Sequence, residues 1–109
     1  MSLSYITDET PAGTFETINV STTAIGVTAS LLEVGLPGGF HRRAVKLYIS
    51  NETNSIRVRW DGTAPTASVG HLLTAGDSIT IEGEQNCSNF KAIRVSADAT
   101  LMVTVYYNI

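Results

Sequence analysis

The chain reads as an all-β, single-domain antiparallel β-sandwich, and three observations predict this. Apolar residues recur with a period of two, as in Val45, Leu47 and Ile49, or Leu101, Val103, Val105 and Tyr107. Turn-forming groups such as Asp61-Gly62 and Ala75-Gly76-Asp77 punctuate these runs at short intervals. No segment sustains a helical period. Seven to eight short strands so arranged predict a jelly-roll or Greek-key-like sandwich.

Taken in order, residues 1–13 are polar and end in Pro11-Ala12-Gly13, which reads as a flexible N-terminal arm. Its first three residues, Met-Ser-Leu, are also what an expression vector leaves behind. Residues 14–109 form the expected domain. Its first strand spans Thr14 to Val20, with Ile18 and Val20 on one face. A second is expected over Thr22 to Ala29, where Gly26 separates Ile25 from Val27 and marks a weak point or a bulge. Ser30 to Val34 fits either a short strand or one helical turn. Leu36-Pro37-Gly38-Gly39 is a loop, because proline and paired glycines break both structures. Ala44 to Ser50 is a clean strand with Lys46, Tyr48 and Ser50 turned outward. Asn51-Glu52-Thr53-Asn54 is short enough to make a hairpin to the next strand.

That next strand, Ile56 to Trp60, opens the most informative stretch. Ile56, Val58 and Trp60 share one face, and Arg57 and Arg59 the other. Trp60, the only tryptophan, is thereby expected to anchor the core, with an acceptor for its indole N–H. The long Thr63–Leu73 connection suits a crossover between sheets. Ile79 and Ile81 mark a further strand, followed by a polar loop over Glu84 to Asn89. Phe90 to Ser96 and Thr100 to Tyr107 complete the set, the last with Met102, Thr104 and Tyr106 outward.

At 109 residues the chain is long enough to bury a core without a metal or disulfide. Charged residues are only 16%, low for a fully wetted surface, and serine and threonine fill the polar positions instead. A net charge of −3 argues against nucleic-acid binding. The one cysteine, Cys87, allows no intrachain disulfide and reads as an incidental loop thiol. No run is long enough to span a membrane, and no basic-then-apolar leader is visible, so synthesis in the cytoplasm is expected.

Catalytic signatures are missing. His41 and His71 stand alone, so neither a metal nor another cofactor is expected. Asp61 and Asp77 sit in turns, where aspartate bonds local backbone, and do not form a facing carboxylate pair. No nucleophile elbow or phosphate loop occurs. What remains is a surface. Arg57, Arg59, Tyr48, Met102 and Tyr106 are the candidate interaction face, since outward aromatics on a poorly charged sheet suggest a covered surface.

Beyond these patterns, the order FETINVSTTAIGVTASLL, AVKLYIS, IRVRWDGTAPTASVGHLLTAGDSITIEG and FKAIRVSADATLMVTVYY resembles small β-sandwich virion structural proteins of tailed bacteriophages. The third segment is its most specific part, and the resemblance covers the chain from Thr14 onward. It implies a subunit that self-associates as a homo-oligomer and docks on other virion proteins as a capsid decoration, neck or tail component. It carries over no catalytic residues. It also implies location in the virion after synthesis in the host cytoplasm. The alternative is a small carbohydrate- or ligand-binding β module, with Trp60 or Tyr48 as an exposed stacking platform.

Overall fold

The computed structural model describes residues 12–108 as eight antiparallel strands, two short helices and a single 3-10 turn at Pro37–Gly39. The strands are β1 (Ala12–Val20), β2 (Glu33–Gly35), β3 (His41–Asn51), β4 (Ile56–Arg59), β5 (His71–Leu73), β6 (Ser78–Glu82), β7 (Lys91–Arg94) and β8 (Ala99–Tyr107). The helices are α1 (Ala29–Leu32) and α2 (Glu84–Asn89). The larger sheet runs β1-β8-β3, with β6 and β2 both pairing along the far side of β3, and the smaller runs β5-β4-β7. Ile25 adds a single bridge to Ala92 at the outer side of β7. Counting that bridge as a vestigial strand, the sheets read β1-β8-β3-β6 and Ile25-β7-β4-β5, the interleaved order of a jelly roll.

Strand alternation builds the core directly. Ile18, Val20, Leu47, Ile49, Ile81, Leu101, Val103 and Val105 are contributed by the larger sheet, and Ile56, Val58, Leu73 and Ala92 by the smaller. Phe90, 1% exposed at the entry to β7, is the bulkiest fully buried side chain. Asn51 is the only buried polar residue among those described. It is satisfied by donating to the Asn54 carbonyl at 2.8 Å and the Leu73 carbonyl at 3.1 Å. Those two bonds pin the end of β3 to the link it leads into and to the opposite sheet.

Several expectations are corrected. Trp60 is not the core anchor. β4 ends at Arg59, so Trp60 leaves the alternation as the chain bends toward Gly62, and its half-buried ring only rests against the core. The residues 51–54 link is no hairpin, because β3 and β4 lie in different sheets. Residues 63–73 do not cross between sheets either. β5 pairs with β4, and the crossing falls at 74–77, where Thr74 donates to Asp77 through its N–H and its hydroxyl. The strand expected over 22–29 shrinks to the Ile25 bridge. Ile25 stays exposed while Val27 is buried, because Gly26 passes so close to the Phe90 carbonyl that no extended strand forms there.

Residues 30–34 realise both of their readings in succession, α1 and then β2. The polar stretch 84–89 is helical, with Glu84 in its first turn and the buried Cys87 as its inward anchor. Arg43 on β3 joins this helix to β2 by ion pairs of 3.0 Å to Glu84 and 3.1 Å to Glu33. β1 takes in Ala12 and Gly13, which the sequence assigns to the arm; residues 1–11 of that arm lie outside the described residues.

Candidate interaction face

The outer surface of the larger sheet follows from register alone. Phe15 pairs with Thr104, Thr104 with Tyr48, and Tyr48 with Thr80, which makes one row across four strands. The next row is Thr17, Met102, Ser50 and Ser78, with the Thr17 hydroxyl 3.5 Å from the Met102 sulfur. Toward the other end of the sheet, Tyr106 pairs with Lys46 and Lys46 with Glu82. The Lys46 ammonium lies 4.5 Å from the centre of the Tyr106 ring, a cation–π contact that covers part of that ring.

The result is an aromatic and hydroxyl-rich surface. In the three rows traced here its charges, Lys46 and Glu82, stand together at one corner. Phe15 is 58% and Tyr48 44% exposed, and Met102 and Tyr106 are half-buried among their neighbours. Phe15 belongs to this face although sequence reasoning left it out of the candidate set. The signal was present, since Phe15 has the opposite parity to Ile18 and Val20.

Arg57 and Arg59 are elsewhere. They project from β4 on the smaller sheet, so the five candidate residues divide between two sheets rather than sharing one face. Both arginines are engaged within the chain. Arg57 donates to the Gly70 carbonyl at 3.1 Å and holds the 61–70 loop against its strand, although its Nε is buried without a partner. Arg59 forks onto Asp61, with Nε–Oδ1 at 3.1 Å and Nη2–Oδ2 at 2.5 Å. That fork, helped by the Thr63 N–H, holds the Asp61 carboxyl at about 2, well below its ordinary 3.8.

Beside this pair, the Trp60 and His71 rings stack at 5.0 Å with 24° between their planes. Arg59, Trp60, Asp61 and His71 together line a recess of about 130 Å³. One face of the indole is taken by His71, and the ring also packs against the core. The recess therefore offers a neutralised charge pair and a ring edge rather than an open stacking platform.

The remaining chemistry-bearing groups are inert or scattered. Burial pushes the Cys87 thiol up to about 11, and the thiol donates to the Ile81 carbonyl at 3.7 Å. His41 is exposed beside Glu33. Among the described residues, no three of His, Cys, Asp or Glu converge as metal ligands, and no helix is long and apolar enough to cross a membrane. No protein-family model, curated protein or solved structure matches the chain.

Proposed function

We propose that this chain is a bacteriophage virion structural protein that self-associates and docks on the capsid or tail through the outer face of its larger sheet. One observation carries the reading: Phe15, Tyr48, Met102 and Tyr106 lie across three adjacent strands, β1, β8 and β3, on a surface whose other positions are mainly serine and threonine. Such a face combines exposed aromatic and methionine contact area with little charge to desolvate, both of which are features of protein-docking surfaces. The phage-like order of segments supplies the partner class, other virion proteins, and the jelly-roll sandwich is a scaffold suited to repetition in a particle.

Mass spectrometry of purified virions from the phage encoding this chain should detect it at many copies per particle. Tyr48→Lys should abolish its binding to particles lacking it while leaving the fold intact, because Tyr48 adds nothing to the core. Absence of the wild-type chain from those virions would refute the reading. The ligand-module alternative rests on the Trp60–His71 recess. A saccharide titration that changes Trp60 fluorescence would favour it instead.

A further inference from the structure

Among the described residues, the larger sheet has one long edge without a partner. Hydrogen-bond direction can be followed across it from two bonds at the end of β3. Asn51 donates its N–H to the Asp77 carbonyl on the β6 side, and Glu52 donates to the Thr100 carbonyl on the β8 side. Backbone direction alternates along a strand, so Lys46, Tyr48 and Ser50 face β8. Their partners Tyr106, Thr104 and Met102 face back, which leaves Leu101, Val103 and Val105 facing β1. Those three pair with Ile18, Glu16 and Thr14. The N–H and C=O groups of Phe15, Thr17 and Asn19 therefore point away from the sheet. Among the described residues, no backbone group bonds them there.

The other strands at sheet edges are short or covered. β5 has 3 residues, β2 has 3 and β6 has 5, whereas β1 has 9. The β7 edge carries Lys91 and Arg94, and it is capped where Ile25 bonds Ala92 in both directions and Ser21 accepts from the Arg94 N–H. Of the devices that keep edges apart, β1 lacks lysine and proline, and its one bulge is confined to its first residues, between Ala12 and Thr14. Its single charge, Glu16, is occupied internally, since the Thr28 N–H donates to it at 3.1 Å and the Thr28 hydroxyl donates to its other oxygen.

We infer that β1 is the self-association edge, pairing antiparallel with β1 of a second copy about a two-fold axis through Thr17. A second copy is the fitting occupant because an antiparallel edge is complementary to itself under that symmetry. In this register Phe15, Thr17 and Asn19 each donate to and accept from the facing strand, and Phe15 stands opposite Asn19 of the other copy. Centring on Glu16 instead would set two carboxylates face to face, an arrangement that costs stability. The pairing joins the two outer faces edge to edge, so Phe15 becomes an interior column of one doubled docking surface. This inference rests on the self-association half of the proposed function.

The test is sedimentation of the wild-type chain, Thr17→Lys and Tyr48→Lys at the highest soluble concentration, together with oxidative cross-linking of Thr17→Cys and Ser50→Cys. The expected result is a wild-type species of twice the chain mass and a Thr17→Lys species of single mass. Tyr48→Lys should stay at twice the mass. A disulfide-linked dimer should form from Thr17→Cys and not from Ser50→Cys. Should Thr17→Lys fail to fold, the cysteine pair decides by itself. A wild-type dimer in which Thr17→Lys stays dimeric, or in which Ser50→Cys cross-links and Thr17→Cys does not, overturns the edge assignment and leaves self-association standing. A wild-type monomer overturns both.

Discussion

Truncating a side chain destabilises the fold according to how completely its neighbours enclose it, and that ranks two aromatic residues in this chain. Phe90 is enclosed between the sheets, so Phe90→Ala should cost ~3–5 kcal/mol in denaturant titration. Trp60 is only partly buried, and Trp60→Ala should cost about half of that or less. Equal losses would refute this ranking, which reverses what the alternation of Ile56, Val58 and Trp60 suggests. The Arg59–Asp61 fork makes a second residue-scale prediction. The folded-state value of Asp61, about 2, lies below the ordinary 3.8. The stabilisation from this pair is therefore fully present above that ordinary value and is lost as pH falls toward 2. Carboxyl-carbon NMR should place the Asp61 midpoint near 2, and Arg59→Ala should return it toward 3.8. An unchanged midpoint in that variant would show that the fork is not the cause.

Elements here are decided as much by what lies against them as by their own residues. The stretch 22–29 has apolar residues spaced for a strand, yet its backbone runs against the Phe90 carbonyl, where a β-carbon on Gly26 would stand 2.4 Å from that oxygen. Gly26→Ala should accordingly destabilise the fold by ~1–3 kcal/mol, because the crowded atom is backbone and cannot swing aside. A neutral effect on the denaturation midpoint would mean that the crossing segment relaxes freely. The opposite case is α2. Asn86, Ser88 and Asn89 are poor helix formers, and the turn is held by burial of Cys87 and by the Asn86 side chain donating to the Glu82 carbonyl at 2.9 Å. Both elements were hidden from the sequence for the same reason: segments this short take their conformation from the surface they close over.

For the molecule as a whole, the ends of the described chain meet. β1 lies against β8, and β8 lies in the middle of the larger sheet, so that sheet is completed only when the last strand is made. The same arrangement leaves β1 outermost and gives the molecule two adjoining resources, an aromatic face and an edge unpaired among the described residues. On the function proposed above, the edge serves a second copy of the chain and the face serves its other partners.

Much of the sandwich was legible in the residues themselves. Leu47 with Ile49, Val103 with Val105, and Ile79 with Ile81 declare strands because a pleated backbone sends alternate side chains to opposite sides, whatever else is present. The outward placement of Tyr48, Met102 and Tyr106 came from that same parity. Only the tertiary structure decided that Arg57 and Arg59 belong to a different sheet from those three, that Trp60 lies at the margin of the core, and that β1 is an outermost strand with no partner on its far side among the described residues. Parity says which side of its own sheet a residue takes. It is blind to which strands become neighbours, because pairing depends on contacts between segments far apart in the chain.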